Sequence, residues 1–230
     1  MKKKPLLSAN TKMKKSSIDG VPVYLRNFDL PSQVTCFNRK LCAGKNCYAF
    51  LLEQRFPNYK ASNESKLEAT KQSDFVPVMG AEINAPARGR KGQRRIIRIH
   101  ASGDFYDMTY LLKWVAIMKL YPEVTFYAYT KMVSMIKGVR STFGLPSNFV
   151  VIFSYGGKED HLIDPAVDRH AFVFKDRESF DAGYSDASDN DLVAIGSNHR
   201  IGLAYHAKVR WEDSLWSKVV RNEKSVKKTV

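Results

Sequence analysis

The run Thr35–Tyr48, TCFNRKLCAGKNCY, holds all three cysteines of the 230-residue chain: Cys36, Cys42 and Cys47. Their spacing, C-x5-C-x4-C, keeps three soft donors within twelve residues. An odd count cannot form a fully paired disulfide framework. Three local thiolates can bind zinc with a fourth ligand, or hold an iron–sulfur cluster while one iron stays without a protein ligand. Structural zinc sites usually build on C-x2-C knuckles, and no histidine precedes His100, so zinc would have to recruit a distant one. Three unrelated buried cysteines belong on apolar periodicity. These sit instead among Asn38, Arg39, Lys40, Gly44, Lys45 and Asn46. The pattern favours an iron–sulfur cluster first and zinc second.

A loop of this kind needs elements to carry it. Val21–Arg26 reads as a first strand, and Cys47–Phe56 as a helix closed by Pro57. A second helix is expected from Asn63, broken at Pro77. Arg95–His100 alternates as a strand, the turn ASGDFYD follows, and Met108–Tyr121 is an amphipathic helix. Val124–Tyr129 is the next strand, Lys131–Gly138 a short helix, and Phe149–Ser154 another strand. Ala171–Lys175 and Leu192–Ile195 read as further short strands. Strands separated by helices predict parallel βα units, and five or six of them suit an open, partial βα barrel. Active sites in such folds lie at the C-terminal ends of the strands, which selects the loops starting at Thr35, Ala101, Thr130, Ser154 and Lys175.

The net charge of +14 is uneven. Residues 1–15, Pro86–Arg98 and Lys218–Lys228 together carry +16, leaving the rest at −2. The division expected is a basic N-terminal tail (1–20), one α/β domain (21–215) and a basic C-terminal tail (216–230). Basic tails and an Arg–Gly loop at 86–98 suggest a nucleic-acid partner; solvated tails are the plainer alternative. MKKKPLL starts like a signal peptide, but its apolar run stops at SANTKMKK, and no window approaches the roughly 20 apolar residues of a membrane span. A soluble, cytoplasmic protein without membrane contact is expected. His161, His170, His199 and His206 form no H-x3-H pair, and no G-x-S-x-G, Walker A or dinucleotide fingerprint occurs.

A three-cysteine loop after the first barrel strand, its last cysteine followed by an aromatic, resembles the radical S-adenosylmethionine (SAM) superfamily, whose usual spacing is C-x3-C-x2-C. A closer resemblance is to the bacteriophage gene-product-eighty-eight-like family of unknown function, itself similar to radical SAM proteins. It rests on LPSQVTC…C…CYA (Leu30–Ala49), FPNYKASN (Phe56–Asn63), RIHASGDFYD (Arg98–Asp107) with Trp114, FYAYTK (Phe126–Lys131) and PSNFVVIFSYGG (Pro146–Gly157). The resemblance implies a radical-SAM-like partial barrel and a single 4Fe–4S cluster on Cys36, Cys42 and Cys47, with SAM on the open iron. A reductant such as a ferredoxin or flavodoxin would serve a catalytic protein, and a phage origin would put it in the host cytoplasm. Ser102, Gly103 and Asp104 then stand where the superfamily receives the SAM amino group. Read without the resemblance, SGD is an ordinary turn ahead of a helix. Thr130, Lys131, Ser154 and Tyr155 end the next two strands and could meet the ribose or carboxylate of SAM or a substrate phosphate. His100 reads as a buried histidine or a ligand, and Gly156–Gly157 as a turn with or without a ligand beside it. Arg98, in an otherwise apolar strand, needs a carboxylate, for which Asp104 is a candidate. Two rival functions stand beside a SAM-cleaving enzyme: a non-enzymatic iron–sulfur nucleic-acid-binding or regulatory protein, and a zinc-stabilised binding module.

Overall fold

Three stretches that alternate or run apolar, RIIRI, TFYAYT and FVVIFS, form the centre of a parallel sheet. The structure, a computed structural model, describes residues 5–85 and 92–218. In chain order it has α1 (Thr11–Lys14), β1 (Ser17–Ile18), β2 (Val21–Pro22), β3 (Tyr24–Phe28), α2 (Tyr48–Arg55), α3 (Pro57–Lys71), α4 (Phe75–Asn84) and β4 (Arg95–Ile99). Then come α5 (Met108–Leu120), β5 (Thr125–Thr130), α6 (Val133–Phe143), β6 (Phe149–Ser154), β7 (His170–Phe174), β8 (Ser185–Asp186) and β9 (Arg200–Ala204). β1 and β2 make a small antiparallel hairpin. The other seven strands join in the order β3-β4-β5-β6-β7-β9-β8, every pairing parallel, and curl into a half-barrel.

Period-two burial sorts each strand into two faces. Ile97, Ile99, Phe126, Ala128, Val151 and Phe153 point outward into a core shared with α4, α5 and α6, where Phe75, Trp114 and Ile136 are almost completely buried. Leu25, Ile96, Tyr127, Ile152, Ala171 and Ile201 point into the hollow of the half-barrel. α5 starts where Asp107 Oδ1 accepts a hydrogen bond from the Tyr110 N–H at 2.7 Å, the expected cap for one orphan donor.

Several expectations need correction. Residues 5–20 are not a tail: Met13 is buried in the hollow, Ser8 pairs with Asn27, and Glu82 accepts hydrogen bonds from the N–H groups of Leu6 (2.6 Å) and Leu7 (2.8 Å). Pro77 does not break a helix but lies in the first turn of α4, where its missing N–H would have had no helical partner. Leu192–Ile195 is no strand. Asn190 Oδ1 accepts from the Leu192 N–H and folds Asp191–Ile195 into a 3-10 turn whose Leu192 and Ala194 help fill the hollow. β9 takes the place expected for that strand. Nor is 216 the start of a tail, since Trp216 and Ser217 are buried. The basic residues at 1–4, 86–91 and 219–230 lie outside the described residues. No helix among the described residues is long and apolar enough to cross a membrane.

Candidate functional site

A cavity of about 190 Å³ opens at the C-terminal ends of the strands. Cys36, Cys42 and Cys47 line it from the loop after β3, and Ser102, Gly103 and Asp104 from the loop after β4. Thr130 and Lys131 reach it from the end of β5, and Ser154 from β6. The structure therefore brings together nine of the ten expected site residues. The tenth, Tyr155, packs its ring against His170 and Phe172 and does not line the cavity; the alternation along β6 turns it to the opposite side from Ser154. Lys175 also lies outside the cavity, paired with Glu212 at 3.5 Å.

The cysteine loop is held at both ends. Its start is fastened by Glu53, a buried carboxylate on α2 that accepts from the Ser32 N–H (2.8 Å) and hydroxyl (2.5 Å) and from Asn63 Nδ2 (3.4 Å). Gly103, at φ +88°, lets this start pass close by, since a Cβ there would stand 2.6 Å from Leu30 Cβ and 2.7 Å from Thr35 Oγ1. The close approach the glycine permits is thus to the cysteine loop. Farther along, the Lys40 and Leu41 N–H groups donate to Gly156 O at 3.1 and 2.9 Å, and the Lys158 N–H donates to Asn38 O at 2.8 Å. Between these ends the Arg39 guanidinium donates to the carbonyls of Gln33 (2.5 Å) and Cys36 (2.7 Å).

Asp104 ties the strands together beneath this loop. Its Oδ1 accepts from the Thr130 hydroxyl (2.6 Å) and the Phe105 N–H (2.8 Å), and its Oδ2 from the Lys131 N–H (2.9 Å). Burial raises the Asp104 pKa despite these donors. Thr130 Oγ1 also accepts from the Met132 N–H at 3.0 Å, and Ser102 Oγ donates to Leu30 O at 2.9 Å. Asp104 is not the partner of Arg98. That role belongs to Asp191, at 2.9 Å, so the strand arginine is neutralised from the 3-10 turn. Lys131 Nζ donates to Ser154 O (3.0 Å), Ser154 Oγ (2.8 Å) and Tyr155 O (2.7 Å), and lies 5.9 Å from the centre of the Trp216 ring. His100, at φ 66° and 3% exposed, hydrogen-bonds Tyr110 through Nε2 at 2.8 Å. Burial, with Arg98 adding to it, pushes its pKa down to about 3, so it is a neutral structural imidazole at neutral pH.

The thiols differ from these groups. Burial raises Cys36 and Cys47 above the ordinary thiol value, and Asp104 and the other two cysteines add to the rise at Cys36. Cys47 is the N-cap residue of α2, where the Ala49 and Phe50 N–H groups act against that rise. Two half-buried thiols that disfavour negative charge, Cys36 and Cys47, suit a cationic iron or zinc centre, which would supply the missing charge. Among the described residues no three His, Cys, Asp or Glu side chains gather closely enough to hold a metal ion. The sulfurs therefore line the wall as separate donors, not as a closed shell.

Tyr48, His206 and Trp216 also line the cavity and were not expected there. The aromatic after the last cysteine was a signal for Tyr48. Trp216 is placed by a contact with no local signature: a Cβ at Gly156 would stand 2.5 Å from its ring.

Fold and cavity together define a parallel α/β half-barrel with a thiol-lined mouth. The family model for gene product 88 matches residues 3–221, and the chain belongs to that phage gene-product family. No curated protein and no solved structure matches it.

Proposed function

We propose that the chain is an iron–sulfur protein in which Cys36, Cys42 and Cys47 would hold a 4Fe–4S cluster that leaves one iron without a protein ligand and open to SAM. The observation that carries the reading is that all three cysteines of the chain line one cavity at the strand ends. Held by Cys36, Cys42 and Cys47, such a cluster would supply the electron for reductive cleavage of SAM, a ferredoxin or flavodoxin being the source. The chain's own residues bind and shield. Lys131 brings its Nζ to the cavity wall with its three N–H groups donated to Ser154 and Tyr155, so its charge and not a free donor would attract a carboxylate or phosphate. Tyr48, Tyr129 and Trp216 give the wall aromatic surface that excludes water. Asp104, Thr130 and Ser102 hold the backbone of their loops and offer little bonding capacity of their own to a ligand.

Anaerobic purification tests the cluster, by absorption spectrum and by iron and sulfide counts on wild type and Cys42→Ala. A brown wild type and an iron-depleted variant are expected; a full cluster in the variant defeats the ligand assignment. A colourless protein that carries zinc would instead support the zinc-stabilised module. A second reading, a cluster protein without SAM chemistry, is favoured by the hydrogen bonds that already engage both carboxylate oxygens of Asp104 and the hydroxyl of Thr130 within the fold. Incubation of the reconstituted protein with SAM and dithionite separates the two. Formation of 5′-deoxyadenosine supports the enzyme, and its absence the regulatory or nucleic-acid-binding protein.

A further inference from the structure

The cavity mouth continues onto an exposed surface of unusual composition. Among the large apolar side chains left exposed, Val34 (60%), Phe37 (52%), Tyr48 (37%), Leu52 (38%) and Phe56 (46%) all come from one stretch, the cysteine loop and α2. Tyr48 and Leu52 lie one turn apart on α2 and Phe56 caps its C-terminus, so the three run along one side of the helix, beside the buried Ala49 and Glu53. The same stretch exposes Lys40, Lys45 and Arg55, none with a carboxylate within ion-pair distance among the described residues. Between residues 30 and 60 the one carboxylate is Glu53, which is buried under Ser32. This stretch therefore combines rings and cations without an exposed anion of its own, the carboxylates of Glu159 and Asp160 standing beyond its far edge.

We infer that this face binds a single-stranded nucleic acid, its backbone along Lys40, Lys45 and Arg55 and its bases stacked on the aromatic stripe that leads into the cavity. A protein partner would favour apolar contact but would not require uncompensated cations. A duplex would meet the cations but keep its base faces hidden, leaving the rings idle. A single strand uses both, because every base offers a flat face and every nucleotide a charge. Eight residues of helix rise span about 12 Å, the length of about three nucleotides. At the inner end Tyr48 lines the cavity, with the His206 ring 5.2 Å from its own, so a terminal or extruded base has an aromatic wall to enter against. Arg55 stacks over Phe56 at 5.2 Å, which puts a cation and a ring at the outer end as well. This inference concerns the same mouth as the proposed cluster but does not need the cluster to be present.

The test is fluorescence anisotropy of a labelled twelve-nucleotide single strand with full-length protein, over a range of salt concentrations. The Lys40→Gln, Lys45→Gln, Arg55→Gln triple variant is expected to lower the slope of log affinity against log salt by about 2, and to weaken binding on the order of a hundredfold at 0.1 M salt. Phe37→Ser with Phe56→Ser should weaken it about tenfold and leave the slope unchanged. All five substitutions are on exposed side chains, and circular dichroism checks the fold. Lys119→Gln, exposed on α5 away from the mouth, should change neither quantity. A triple variant that binds like wild type overturns the inference, as does equal affinity for a duplex of the same length. So does a wild-type dimer in light scattering that the Phe37→Ser, Phe56→Ser variant dissociates, because a second copy then covers the face. Measuring protein with and without bound iron separates the two readings. Strand binding by a protein that never takes up iron removes only the cluster, and an iron-loaded protein that ignores the strand removes only this inference.

Discussion

The two loops that meet at the mouth use their polar groups in opposite ways. In the loop after β4, the hydroxyl of Ser102 and the carboxylate of Asp104 turn inward to Leu30, Phe105, Thr130 and Lys131. In the loop after β3 the backbone is held from outside by Glu53 and Gly156 and from within by Arg39, while three sulfurs line the cavity. One loop is a fastening and the other carries the reactive atoms. Acidic residues at a cavity wall are therefore not automatically ligands, because a carboxylate that already receives three hydrogen bonds acts first as a brace.

Unfolding free energies of the metal-free protein test this division. The largest loss is expected for Asp104→Ala, about 4 kcal/mol by urea titration, because three donors lose a buried acceptor. A near-neutral result would break the comparison and return Asp104 to ligand binding. Gly103→Ala should cost about 3 kcal/mol, from the +88° φ and the 2.6 Å approach to Leu30. It should also lower cluster loading by displacing the start of the cysteine loop. His100 gives a pH signature. Its folded pKa of about 3 lies below the 6.5 of an unfolded chain. Between these values the unfolded state binds a proton that the folded state does not, so this contribution is fully present above pH 6.5 and is lost as pH falls. Each unit of acidification costs about 1.4 kcal/mol, or about 2 kcal/mol at pH 5. His100→Asn, which suits the positive φ, should flatten the stability profile relative to wild type over that range. The smallest effect is expected for Cys42→Ser, below about 0.5 kcal/mol without metal, although the same change should remove the iron. A large loss there would mean that the sulfur is itself structural.

Much of this architecture could be read from residue patterns. Phe149–Ser154 matches its expected strand end for end, and Arg95–Ile99 and Met108–Leu120 differ from expectation by one residue each, because apolar periodicity decides such elements. β9 was hidden because RIGLA lacks alternation. Its Gly202 is required by a ring of Phe180 that would stand 2.4 Å from a Cβ, a contact no local rule announces. Arg98 signalled the need for a carboxylate but not which one, since Asp191 lies 93 residues away. The cysteines were legible from clustering alone. The bracing role of Asp104 was not, because it depends on Thr130 and Lys131 arriving from the next strand.

The anchoring of the cysteine loop has a mechanical consequence. Its first part rests on the loop after β4, and its middle is paired with the residues after β6, so it spans the mouth like a crossbeam between two posts. The distance between those posts is set by how tightly β4, β5 and β6 curl. Any change that flattens or tightens that curvature must stretch or slacken the beam and alter the separation of the sulfurs, so the sheet works as a gauge for its own thiols.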